Sequence, residues 1–113
     1  MSAPRTPEPT APLLELGGGG HLSSLRIQVL SGPDAGRDLV LNQPRILIGR
    51  AEGADLRLSD PTVSQFHAEL TPRVAGTQIA DLGSRNGVRV GEVRVERGAA
   101  PPGCAFTMTL GQT

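Results

Sequence analysis

Three short polar clusters interrupt an otherwise aliphatic chain: Gly49-Arg50, Ser64-Gln65-Phe66-His67, and Asp81-Leu82-Gly83-Ser84-Arg85-Asn86-Gly87. Thirteen residues separate Arg50 from Ser64, and eighteen separate His67 from Asn86. Arg50 offers a planar guanidinium, Ser64 a short hydroxyl, and Asn86 an amide with a donor end and an acceptor end. A phosphate monoester carries a charge of about −1.5 to −2 near neutrality and three acceptor oxygens, so it calls for a guanidinium and a hydroxyl together. Arg85 is a second cation within the same set. An amide such as Asn86 can fix the direction of an extended peptide by bonding its main chain. Recognition of a phosphorylated segment by clustered arginines is a recurring mode.

Each residue also has a plainer reading. Arg50 at a strand end could be solvated, or paired with Glu52 or Asp55, and Ser64 could simply open a turn or strand. Asn86-Gly87 is a strong turn dipeptide in its own right. Ser64 and His67 stand three residues apart, but no Gly-x-Ser-x-Gly elbow accompanies them, so they make no hydrolase triad and His67 reads as structural. Cys104 has nothing nearby to lower its pKa and reads as a small side chain beside a turn. His21 reads as a solvated residue.

Composition removes most competing chemistries. All 11 basic residues are Arg, so Schiff-base chemistry and a Walker-type phosphate loop are excluded. The chain has no Trp or Tyr, which excludes an aromatic cage and the stacking platform of common single-strand RNA modules. Eleven acidic residues balance the basic ones, removing the electrostatic footprint of a nucleic-acid or anionic-membrane binder. A single Cys permits neither an internal disulfide nor a cysteine-based zinc cluster, and no metal or cofactor is expected. No apolar run approaches bilayer length, and the expected location is cytoplasmic.

The elements that must position the three clusters are short and turn-rich. Gly 15 and Pro 10 in 113 residues are roughly double average usage and leave room for one small domain. Residues 1–24 (MSAPRTPEPTAPLLELGGGGHLSS) read as a flexible Pro/Gly-rich leader, dispensable for folding. From Leu25 onward, short aliphatic and β-branched runs alternate with turn signals roughly every ten residues, the pattern of an all-β sandwich or barrel. Leu25, Ile27 and Val29 alternate with polar residues and pair through the Ser31–Gly36 turn with Leu39 to Leu41. Arg45 to Gly49 reads as a buried strand, and Phe66, Ala68 and Leu70 as the inner face of another, with His67 and Glu69 outside. Val88 to Val95 reads as a hairpin whose Gly91-Glu92 loop needs positive φ at Gly91. Its register sets Arg89 opposite Arg94, a like-charge pair tolerable only where water or an anion screens it. A last strand spans Ala105 to Leu110.

The joint pattern Gly-Arg, Ser-x-x-His and Gly-Ser-x-Asn-Gly resembles the forkhead-associated (FHA) domain, over about Leu25 to Gly111. The resemblance implies an all-β sandwich of about eleven short strands that binds phosphothreonine peptides through loops at one end. It assigns Arg50 to gripping the phosphate, Ser64 to donating to it, and Asn86 to the peptide main chain. Gln65 and Arg85 fall at positions of additional contact, and Gly49, His67 and Gly87 at positions that shape the loops. Many members carry a basic residue where Gln65 stands, and commonly an acidic one where Cys104 stands. Members also usually add one more strand pairing with the first, so Leu25 to Leu30 is expected to show an under-paired edge.

The expected division is therefore a leader, 1–24, and an FHA-like sandwich, 25–113. The expected function is non-enzymatic: docking a phosphothreonine-containing protein or peptide, the product of a Ser/Thr kinase, without direct contact to nucleic acid or membrane. Asp60-Pro61-Thr62-Val63-Ser64 and the arginine-only usage resemble modules fused to bacterial sigma-54-type transcriptional regulators. The rival expectation is a structural or oligomerising sandwich that keeps the loops without using phosphate.

Overall fold

A computed structural model describes residues 12–18, 24–73, 76–101 and 105–111. Eleven strands form among them: β1 (Leu13–Gly18), β2 (Ser24–Val29), β3 (Asp38–Asn42), β4 (Ile46–Gly49), β5 (Leu56–Arg57), β6 (Ala68–Arg73), β7 (Gly76–Asp81), β8 (Val88–Val90), β9 (Val93–Arg94), β10 (Arg97–Ala100) and β11 (Phe106–Leu110). They make a six-stranded sheet, β3-β2-β1-β11-β8-β9, and a five-stranded sheet, β10-β7-β6-β4-β5. The all-β expectation holds, and the two sheets make the sandwich.

Period-2 alternation puts one side of the central strands into the space between the sheets. Leu14 and Leu16 from β1, Ile27 from β2, Ile46 and Ile48 from β4, Leu70 from β6, and Met108 and Leu110 from β11 are wholly buried there. Each such side chain contributes about 1.5–3 kcal/mol of burial free energy. This aliphatic core fixes the sheets, so the loops at the ends of β4, β6 and β7 start from anchored positions.

Both expected hairpins form, the second in its expected register. Leu25 pairs with Leu41 and Ile27 with Leu39. Arg89 stands opposite Arg94 and Val90 opposite Val93, with Gly91 at φ +59° in the turn.

Three expectations need correction. The leader is not uniformly loose: Leu13–Gly18 is a strand whose Leu14 and Leu16 enter the core while Glu15 faces solvent. Apolar burial at alternate positions outweighs the loop-like composition around it. Residues 1–11 and 19–23, which carry the rest of that expectation and His21, lie outside the described residues. Second, the strand at Leu25 has no under-paired edge, because β2 pairs with β1 on one side and β3 on the other, while β1 also pairs with β11. Third, Phe66 is not a core residue: β6 begins only at Ala68, and Phe66 is 46% exposed while His67 is fully buried. Cys104 lies outside the described residues.

Candidate functional site

The three polar clusters meet at one end of the sandwich, and main-chain bonds bring the first two together. β4 stops at Gly49, and the next residues run against the loop between Val63 and His67. Arg50 N–H donates to Ser64 O and Ala51 N–H to Gln65 O, both at 3.1 Å, and His67 N–H donates to Ile48 O at 2.8 Å. This close approach requires glycine at 49. A Cβ there would overlap the Gln65 carbonyl and lie 2.9 Å from Ser64 O, and both obstacles are backbone.

Arg50 extends along the second loop, its Nε donating to Val63 O at 2.5 Å. That bond fixes the guanidinium beside Ser64 while its terminal nitrogens make no hydrogen bond or ion pair among the described residues. The two ion pairs present there, Arg26–Asp38 at 2.6 Å and Arg45–Glu69 at 3.6 Å, leave Arg50 out. Pairing of Arg50 with Asp55 does not occur; Asp55 accepts from Leu47 N–H instead.

Ser64 is half-buried and its Oγ accepts from Arg85 N–H at 3.0 Å. A hydroxyl has one proton to give, and with the oxygen already accepting, that proton is left to donate outward. The Arg85 main chain thus ties the third loop to the second, while its side chain is exposed. Gln65 is exposed too, and its contribution within the fold is its carbonyl.

His67 is the joint of the site. Its Nδ1 accepts from Ser64 N–H at 3.0 Å and its Nε2 lies 2.7 Å from Gly87 O. A carbonyl can only accept, so the imidazole is neutral with the proton on Nε2. Burial lowers the pKa of His67 below its ordinary value, outweighing the Gly87 carbonyl bond and the charge of Asp81, which act the other way. His67 thereby joins the Ser64 loop to the Asn86 loop, and Leu82 N–H adds a bond to its carbonyl at 3.0 Å.

Asn86 donates from Nδ2 to Thr62 O at 2.7 Å. Because Thr62 O needs a donor, the amide nitrogen faces inward. Its Oδ1 makes no hydrogen bond among the described residues. Gly87 follows at φ +83°, the left-handed region where glycine is favoured.

Several supporting residues escaped sequence reasoning. Asp60, nearly buried, accepts at Oδ1 from both Thr62 N–H at 2.8 Å and Thr62 Oγ1 at 2.7 Å, holding the carbonyls of Thr62 and Val63 toward Asn86 and Arg50. Ser84 Oγ accepts from Gly87 N–H at 2.9 Å, and Asp81 Oδ1 from Ser84 N–H at 2.8 Å. The Asp-Pro-Thr order, an Asx-turn composition, was the available signal for the first of these.

The arrangement can take an anion and an extended main chain, and it holds no nucleophile–base pair directed outward. Among the described residues there is no group of metal-ligating side chains and no helix long and apolar enough to cross a membrane. A groove of about 1000 Å³ opens on the flank, lined by Ile79, Ser84, Val93, Arg94 and Arg97 among others, with Arg50, Ser64 and Asn86 outside its lining. The three residues themselves lie on loops.

Residues 28–113 match the family described as the inner membrane component of T3SS, cytoplasmic domain. The glycogen accumulation regulator GarA of Mycolicibacterium smegmatis is 38% identical over 73 residues, covering 65% of this chain and 46% of that protein. The chain spans about half the length of the curated relatives it matches. Among solved structures, the FhaA FHA domain complexed with the intracellular domain of Rv3910 has a TM-score of 0.56 at 25% identity, over 86% of this chain and 97% of that one. Mycobacterium tuberculosis EmbR in complex with a low-affinity phosphopeptide has a TM-score of 0.58 at 23% identity, over 90% of this chain and 25% of that one.

Proposed function

The chain belongs to the family described as the inner membrane component of T3SS, cytoplasmic domain, and is an FHA domain; from that premise we propose that it is a signalling module that docks phosphothreonine peptides. The observation that carries the proposal is Arg50, pinned by Nε to the Val63 carbonyl and left with its terminal N–H groups unpaired among the described residues. A guanidinium oriented by its own loop and lacking a carboxylate partner suits a dianionic group.

In this reading Arg50 grips the phosphate, the Ser64 hydroxyl donates to it, and Arg85 and Gln65 supply flanking contacts. The outward Oδ1 of Asn86 accepts from the main chain of the peptide. Gly49, His67 and Gly87 hold the loops. The FhaA domain is solved in complex with an intracellular protein domain and EmbR with a phosphopeptide, which together support a phosphorylated protein segment as the ligand class. The same proposal covers a Ser/Thr kinase product as partner, a cytoplasmic setting, a non-catalytic role, and a part in bacterial transcriptional regulation.

Calorimetric titration with matched threonine and phosphothreonine peptides tests it. The phosphorylated form alone should bind, and Arg50→Ala should cost roughly 2–5 kcal/mol, enough to erase a modest-affinity interaction. Ser64→Ala should cost less. Affinity should fall below about pH 6 as the phosphate loses its second charge. The rival reading is a structural or oligomerising sandwich that does not bind phosphate. Equal affinity for both peptides, or a folded Arg50→Ala variant that binds normally, decides for the scaffold.

A further inference from the structure

The β8–β9 hairpin leads directly out of the Asn86 loop and carries the Arg89–Arg94 pair that phosphate recognition leaves unused. Like charges directly opposite each other across two strands are destabilising unless an opposite charge or solvent relieves them. No opposite charge does so here. Both side chains are exposed, and neither makes an ion pair or hydrogen bond among the described residues. The nearby carboxylates do not close on them. Asp81 accepts from the Ser84 amide, and Glu92 and Glu96 are exposed with no ion pair to either arginine.

Arg94 does have a defined resting place. A Cβ on Gly87 would meet its Nε at 3.0 Å and its Cζ at 3.2 Å, so the guanidinium lies against the bare face of the glycine that follows Asn86. A second cation therefore sits at the border of the loop that orients the peptide, with Arg89 two residues further along β8 and across from it. At about 3.4 Å per residue for a fully extended chain, Arg89 is within about 10 Å of Asn86, inside the reach of about three extended ligand residues.

We propose that Arg94 and Arg89 form a second anion-reading position, which selects phosphothreonine peptides bearing another acidic group within a few residues of the phosphothreonine on the side that passes Asn86. The inference rests on the phosphothreonine reading of the main site. A carboxylate and a second phosphate share the required chemistry, a compact anion with two oxygens for a guanidinium fork.

The test titrates the chain with a phosphothreonine peptide with uncharged flanks, a set in which Glu replaces each flanking residue in turn, and one carrying phosphoserine at the best Glu position. Glu at one or two adjacent positions should raise affinity roughly three- to tenfold, and the gain should shrink as salt rises. A larger gain for phosphoserine identifies a second phosphate as the preferred group; a similar gain identifies a carboxylate. Arg94→Gln should erase the gain while leaving the affinity for the uncharged-flank peptide unchanged, and Arg94→Glu, which gives Arg89 an internal partner across the same register, should erase it as well. Absence of any gain, or a gain that survives Arg94→Gln, overturns the inference and leaves the main site standing. Failure of every phosphothreonine peptide to bind overturns both.

Discussion

The loops around His67 and the β8–β9 hairpin adjoin at Gly87, yet they are held in opposite ways. The loops have almost no strand ladder; side chains bond backbone groups, as His67 does at both ring nitrogens, Asn86 at Thr62 O, Arg50 at Val63 O and Ser84 at Gly87 N–H. The hairpin has a short ladder and a glycine turn, with exposed charges that bond to nothing among the described residues. Rigidity at the loops is thus encoded in a few residue identities, each with a named partner, and one lost residue orphans a buried group. The hairpin depends on backbone conformation, so its side chains are free to vary and to carry specificity.

The largest expected effect sets two glycines against each other. Gly49→Ala places a methyl group against the backbone of Ser64 and Gln65, which cannot move without opening the loop. A loss of about 3 kcal/mol or more is expected, with phosphopeptide binding lost in parallel. Gly91→Ala meets no atom within 4 Å and pays only for φ +59°, about 1 kcal/mol. Urea unfolding of both variants measures the contrast, and equal losses would break it.

His67→Gln comes next, because it disturbs two bonds and leaves Ser64 N–H and Gly87 O poorly satisfied, a cost of about 2–3 kcal/mol. The histidine also adds a pH dependence. Its folded pKa lies below the ordinary value of 6.5, so the unfolded chain binds more protons between the two values. Stability from this residue is therefore fully present above about pH 6.5 and is lost as pH falls toward and through the folded pKa. Unfolding curves across this window should show that decline in the wild type and its absence in His67→Gln. A variant that retains the full decline would move its origin to other groups.

This division also explains what was legible in the sequence. Arg50, Ser64 and Asn86 could be picked out because each sits in a short motif beside a turn, and the Val88–Val95 register followed from alternation around Gly91. Leu13–Gly18 was hidden: its alternating Leu14 and Leu16 lie between prolines and a glycine run, and its partners at Thr109 and Val29 are remote in sequence or beyond that run. Phe66 departs from the alternation because β6 starts only at Ala68 and the loop before it turns His67 inward. Asp60 and Thr62 went unassigned because their role is to aim carbonyls, which no side-chain pattern reveals.

The smallest predicted effect lies in the hairpin and has the opposite sign. Arg89→Glu replaces a like-charge pair by an attractive one across the same register, while the exposed face gives the new pair no buried group to satisfy. Exposed pairs of this kind are worth about 0.2–1 kcal/mol, so the variant should be slightly more stable than the wild type at low salt and indistinguishable from it at high salt. The same change occupies Arg94 internally. Affinity for a phosphothreonine peptide with uncharged flanks should stay constant, and any advantage of an acidic flank should disappear. Stability and selectivity then move in opposite directions at a position that contacts none of the three loop motifs. A wild-type pair kept for its contribution to folding would predict destabilisation instead, and denaturation at two salt concentrations separates these outcomes.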